Sequence, residues 1–568
     1  MADMNESQKT TTRDRVVSIT NDDAPMLTGR RRSASSSSAS FPPSLKSSKR
    51  RKRLLGCFML AVCVLGVLEA GNLLMSDRIS GPPPVDWVAA IEGADLFFAY
   101  DDRLPLRTLR ASVGNGYIAW AIDHDVMYVA GVFNGPAVAE HAVSHRAAIS
   151  APLNLRAHGT ALVGSMGALD VRSATYHRRH RLRGNESEVL EQRWYAHRGT
   201  AHRTVLVMEL EARSTSPISF SLSGSLRERG VNVEDIAFEQ SWRTVELADG
   251  SSRELSVMVG ATRTTETASA SAVVVAVVAD APPASLTLPP GGVARFMASF
   301  CTSLDESDPV AAATAAYVDA MGVERRALWA AHAAEWAQLW SSGVDVDGGR
   351  LDVARAINAS LYYILSSIRS DAPHSLSPGG LASNSYNGHT FWDTETWMYP
   401  PLLVWHPDVA RSVLEYRHIR LNASRAKAAA YDPPYDGAMF AWESAATGAE
   451  TCPLWADTGV YEQHITGDIA FAAKQYYDVT ADEEWLAGEG YDILEASATF
   501  WTSKAAHGAD DAGGLHIRQA QERRERERRG RKEIRESEES KEEESEGDLL
   551  CARASSSIGR AHMHLAHA

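Results

Sequence analysis

Cysteine is scarce: five in 568 residues. Cys57 and Cys63 fall in an apolar stretch, leaving Cys301, Cys452 and Cys551. That number builds no disulfide framework, and the spacings suit no zinc site. An excess of basic charge is also missing. The net charge of −15 argues against a general nucleic-acid binder, which would carry a basic face. Long apolar runs are absent save one, Leu54–Met75, interrupted by Glu69 and Asn72 and preceded by the basic cluster Lys49–Arg53. Its unbroken part, Leu54–Leu68, is short against the about 20 residues of a membrane span. About fifty residues precede it, too many for the n-region of a cleavable signal peptide. The run therefore reads as a signal-anchor, giving a single-pass type II membrane protein whose body lies in the secretory-pathway lumen or at the cell surface. Sequons at Asn185, Asn358 and Asn422 fit a lumenal body. Residues 1–50 are polar and Ser-rich and are expected to be a disordered cytoplasmic tail.

What remains is a globular composition, 44% hydrophobic and 8% aromatic, enough for two or three domains. From 85 to 305 the texture is β. Runs at 204–212, 218–222 and 272–278 are separated by Gly, Pro and Ser, which predicts a large antiparallel sandwich. At Asp308-Pro309 the period changes, with Asp suited to cap a helix and Pro to its first turn. Linker helices are expected over 308–345, at 309–321 and 324–340. An all-α domain follows from about 350, with helices at 351–369, 407–430, 462–478 and 482–505. After Ile517 the chain becomes a charged, low-complexity run, 518–568, with no apolar face.

Within the helical region, Asn387–Leu403 crowds aromatics, two carboxylates and a histidine into one window, expected as a loop between helices. Aromatic faces beside fixed carboxylates suit a sugar ring, because CH faces stack on Trp and hydroxyls bond to Asp. A plain core segment would not carry so many polar groups, each of which must be satisfied once buried. Trp392 and Asp393 are the candidates for holding the sugar. His389 reads as a hydrogen-bonded loop residue. Glu395, two residues beyond Asp393, reads as structural.

This window and its neighbours resemble glycoside hydrolase family 65. The resemblance rests on Gly114-Asn-Gly-Tyr117, Tyr128–Gly135, Leu376–Gly380, Phe391-Trp-Asp393, His406-Pro407 and Leu414-Glu-Tyr-Arg417. It continues through Gly437–Ala445, Thr447-Gly-x-Glu450, Cys452-Pro453 and Glu462-x-His-Ile-x-Gly467, colinear over about 95–517. It implies an N-terminal β-sandwich followed by an (α/α)6 barrel, incomplete here, occupying 350–517. It implies inverting hydrolysis of an α-linked glucose from a glucosyl disaccharide of glucosylgalactosyl-hydroxylysine type, with no cofactor and no metal. Trehalose hydrolysis, disaccharide phosphorolysis and non-catalytic, membrane-anchored sugar binding are the competing readings. Trp442 and Glu443 correspond to a second glucose-contacting pair, and Glu462 with His464 to the wall near the leaving group. Glu462 reads equally as a carboxylate at a helix N-terminus.

One departure matters. In the family, the segment matching Leu515–Arg518 leads into Pro-Asp-Glu-Tyr-His, whose Glu is the general acid. Here Gln519-Ala-Gln-Glu-Arg-Arg-Glu525 follows. Glu525 lacks the flanking motif and sits among arginines, so no catalytic residue is assigned: the family's acid and base belong beyond Arg518. The composition shift reads as a retained intron or frameshift, and the chain as written is expected to be catalytically inactive.

Overall fold

The computed structural model describes residues 16–19, 84–100, 110–140, 143–231, 233–247, 250–346, 349–374 and 376–506. The rest of the 1–50 tail, the 54–75 run and the charged run with Arg518 and Glu525 lie outside the described residues. No described helix is long and apolar enough to cross a membrane. Val16–Ile19, inside the stretch expected to lack structure, pairs in parallel with Gly343–Val346.

A β-rich region comes first and a helical region second. Nine strands form one antiparallel sheet, in spatial order 236–246, 252–262, 274–280, 293–302, 205–213, 185–196, 175–182, 162–170 and 96–100. Its central strands are buried almost continuously, as Val274–Asp280 is. Helix Pro309–Gly322 covers one face there, packing Ala313, Tyr317 and Met321 on Val207, Val278 and Met297. Full burial of such side chains contributes about 1.5–3 kcal/mol each. Asp308 caps this helix by accepting from the Ala311 amide at 3.0 Å, with Pro309 in the first turn. Smaller sheets flank the large one: 218–223 with 285–288 and 156–158, then 112–114, 118–121, 126–129 and 149–150.

The helical region holds Leu351–Leu365, Tyr399–Trp405, Pro407–Ile419, Leu421–Ala429, His464–Thr480 and Tyr491–Ala506. The expected 407–430 helix breaks at Arg420, whose backbone turns out of helical geometry (φ −102°, ψ 10°). Its guanidinium lies over Tyr416 and donates to the Ala446 carbonyl. The aromatic window is not wholly loop. Its second half is a π-helical turn, Thr394–Met398, running into Tyr399–Trp405, where Pro400 and Pro401 occupy first-turn positions that need no amide partner.

The described residues group into two compact units, one running to Ser424 and resuming over Phe440–Leu494, the other comprising Arg425–Met439 and the chain from Glu495. In the second, Ala428, Tyr435, Met439 and Phe500 form a small core. Gly437 there has φ +78°, and a Cβ would lie 2.4 Å from the Ala496 carbonyl oxygen. Gly437→Ala is expected to cost about 1–3 kcal/mol or more, from backbone strain plus the clash. An unchanged denaturant midpoint would contradict this.

Within the first unit, buried arginines join the β-rich and helical regions. Arg146 donates to the carbonyls of Gly380, Ser383 and Gly388. With no carboxylate beside it, burial pushes its pKa down to about 10. Arg198 donates to the carbonyls of Asn115, Leu365 and Ile368, and burial pushes it down to about 9. Gly116 fits here because a Cβ would lie 2.3 Å from the Ile368 carbonyl oxygen. The Gly114–Tyr117 motif therefore serves this joint. Asn358 lies buried in its helix, its amide donating to the Ala94 carbonyl, so that sequon is closed to a glycan once the chain folds.

Candidate sugar site

Two segments far apart in sequence are laid side by side by an antiparallel bridge. Thr390 donates its amide to the Ser444 carbonyl at 2.8 Å, and Ser444 returns the bond at 3.1 Å. The bridge brings Trp392 and Asp393 to Trp442 and Glu443. Arg417 reaches Glu395 through one guanidinium edge, Nε and Nη2, at 2.8 and 2.9 Å, and also donates to the Phe391 carbonyl and the Ser444 hydroxyl. Glu395 is thus a buried anchor, as its spacing from Asp393 led us to expect.

Around the bridge the side chains form an aromatic cluster beside partly buried carboxylates. The His464 ring meets Trp392 at 5.2 Å and Trp442 at 5.5 Å between centroids, nearly perpendicular to both. Phe391 meets Trp442 edge-on at 6.3 Å, and Trp397 meets Trp392 at 5.9 Å. Asp393 starts the π-helical turn without capping it, and no side chain among the described residues bonds its carboxylate. Partial burial raises its pKa above the usual carboxylate value. A half-buried carboxylate with open acceptor positions is suited to receive hydroxyl donors.

Glu443 is held from two directions. Its Oε2 lies 2.8 Å from Nδ1 of His389, and its backbone amide donates to Glu450 Oε1 at 3.0 Å. The Glu450 carboxylate also accepts from the amides of Trp442 and Cys452. This is why the chain needs Glu450 in Thr447-Gly-x-Glu450, a role the spacing alone did not disclose. Glu266, from the β-rich region, accepts from the amides of Ala446 and Thr447 and from the Ser144 hydroxyl. Nothing in the sequence around Glu266 marks it.

Glu462 sits differently from expectation. It follows the short helix Thr458–Tyr461 in extended backbone and precedes the helix His464–Thr480, so it does not open a helix. The helix starts at His464 rather than at Glu462, with Gln463 in the N-cap position, making no side-chain capping bond, and His464, the first helical residue, bonding Asp468 one turn on at 2.6 Å. Glu462 is half exposed, 3.8 Å from His464 Nε2, beside the aromatic cluster.

Aromatic rings beside partly buried carboxylates, one of them with no side-chain partner among the described residues, are a grouping of the kind that carbohydrate-binding sites use. Residues 358–521 match the glycosyl hydrolase family 65 central catalytic domain. It is 35% identical over 444 residues to a protein-glucosylgalactosylhydroxylysine glucosidase of Dictyostelium discoideum, covering 75% of this chain and 60% of that relative. The mouse protein of the same name is 32% identical over 422 residues, covering 71% of this chain and 57% of its own. A kojibiose hydrolase of Flavobacterium johnsoniae is 49% identical over 187 residues, 33% of this chain and 27% of that relative. Among solved structures, a candidate kojibiose phosphorylase from the human microbiome superposes with a TM-score of 0.58 at 14% identity, covering 74% of this chain and 60% of that one. The chain thus spans about 60% of the length of the first curated relative it matches.

Proposed function

We propose that this chain holds a terminal α-linked glucose between Trp392, Asp393, Trp442 and Glu443, with Glu462 at the leaving-group side. The reading extends to an inverting α-glucosidase acting on a glucosyl disaccharide of glucosylgalactosyl-hydroxylysine type when a complete acid–base pair is present. The observation that carries it is the Thr390–Ser444 bridge, which brings the two tryptophan–carboxylate pairs together. Aromatic rings stack a sugar face, and carboxylate oxygens left open order its hydroxyls. An inverting mechanism adds a general acid and a base about 6.5–9.5 Å apart. The segment after Arg518 lacks the Pro-Asp-Glu-Tyr-His motif, so this chain is read as binding without cleaving. The same departure favours a sugar-binding protein as the second reading.

Two architectural proposals accompany this. The β-rich region is read as a sandwich. The helices from Leu351 to Ala506 are read as the opening turns of an (α/α)6 barrel, supported by their succession along the chain. A secretory-lumen location is proposed from the basic cluster and the apolar run ending at Met75.

Calorimetric titration of the purified chain with glucose and with kojibiose tests the site. Binding of both without release of glucose from kojibiose is expected, and Asp393→Asn is expected to weaken binding about tenfold or more. Absence of binding at saturating sugar would overturn the site, and glucose release by the chain would overturn the non-cleaving half.

A further inference from the structure

We propose that His389 is a positioning residue for Glu443: it carries a proton on each ring nitrogen, and the Nδ1 proton fixes one oxygen of the Glu443 carboxylate, leaving the other for the sugar. The inference rests on the sugar-holding reading of the site above.

His389 is completely buried. Its Nε2 lies 2.5 Å from the carbonyl oxygen of Ser144, which can only accept. Its Nδ1 faces Glu443 Oε2 at 2.8 Å and the Thr451 hydroxyl at 3.3 Å. A neutral imidazole has one donor and one acceptor, so it cannot satisfy a carbonyl and an ionised carboxylate together. An imidazolium satisfies both, and the hydrogen bond to the carboxylate is then charge-assisted. The remaining neighbours are apolar or already engaged. Phe133 and Phe391 flank the ring at 6.4 Å each. Arg146 is committed to backbone carbonyls, Glu450 to backbone amides and Glu266 to the Ser144 hydroxyl and two amides.

Other buried histidines of this fold show the contrast. His332 donates from Nε2 to the Ser173 carbonyl, while its Nδ1 faces the Arg198 amide, which can only donate. His197 is arranged the same way, between the Leu328 carbonyl and the Gly199 amide. Both are neutral by geometry. The partly exposed His145, like His389, has acceptors on both nitrogens, the Val143 carbonyl and Asp235.

The consequence reaches the ligand. Glu443 Oε1 has no partner among the described residues, so the His389 bond decides which carboxylate oxygen points outward. Through Ser144, whose hydroxyl binds Glu266, the β-rich region sets that orientation without touching the ligand itself.

Nitrogen-15 spectroscopy of the histidine-labelled full chain tests the protonation directly, with His389→Phe identifying the resonances. At neutral pH His389 is expected to show two protonated nitrogens in the native chain and a neutral ring in Glu443→Gln. A neutral ring in the native chain, or no change in Glu443→Gln, would overturn the proposal. In parallel, methyl α-D-glucoside is titrated into the native chain, His389→Phe, Glu443→Gln and the double variant. His389→Phe is expected to weaken binding about tenfold when Glu443 is present and little when it is replaced. Equal losses in both backgrounds would mean a merely structural role and overturn it. Should the native chain bind no glucoside, the sugar reading fails, while the nitrogen-15 result still decides the state of His389.

Discussion

Replacing Arg417 with leucine is expected to destabilise the fold by about 3–5 kcal/mol, because the buried Glu395 carboxylate is left without its counter-charge. The two groups are 2% and 1% exposed and meet through two hydrogen bonds, so water cannot replace the lost partner. The same guanidinium holds the Phe391 carbonyl and the Ser444 hydroxyl, so its loss also loosens the bridge under Trp392 and Trp442. The double variant Glu395→Leu with Arg417→Leu is expected to recover most of the loss, since neither unpaired charge remains. Denaturant midpoints of the three proteins provide the measurement. A single variant within about 0.5 kcal/mol of the native chain, the range of ordinary surface changes, would refute the anchoring role.

A second large effect concerns pH. Burial pushes His332 down to about 3 and His197 down to about 4, and each has an N–H facing its unprotonated nitrogen. An unfolded chain titrates its histidines near about 6.5, so below that pH it binds protons that the fold refuses, and stability falls as pH falls. At pH ~5 each of the two costs about 2 kcal/mol relative to pH ~7. Asp280 works in the opposite direction. Burial raises it to about 6, so the fold keeps a proton that the unfolded chain releases, offsetting about 1 kcal/mol over the same range. A net loss of about 2–3 kcal/mol on acidification is therefore expected from these three groups. His332→Gln is expected to remove about 2 kcal/mol of that pH dependence while also lowering stability at neutral pH. Identical slopes of stability against pH for the native chain and His332→Gln would show that this joint is not the acid-sensitive element.

Where the sequence was legible, the signals were local. Asp308-Pro309 marks a helix start because a side-chain acceptor and a residue without an amide are what a first turn requires, and the helix begins there. The strand runs near 204, 218 and 272 are visible because β-branched residues cluster between turn formers, and strands lie within a residue or two of each. The second half of the aromatic window was missed as helix because it forms through a π-helical turn, which leaves no ordinary periodicity. Asn358 matches a sequon, yet only packing against Ala94 and Asp95 reveals that its amide is inaccessible.

By itself the sequence carried the resemblance to glycoside hydrolase family 65, the β-then-α order, and the tryptophan–carboxylate pairs at 392–393 and 442–443. These follow from short patterns whose meaning does not depend on distant residues. Only the tertiary structure decided that His389 meets Glu443 across 54 residues, that Glu395 belongs to Arg417, and that Glu266 braces the turn after Glu443. Each is a buried polar group whose partner is set by chain closure. The composition requires that such groups be satisfied, but it does not say by which residue.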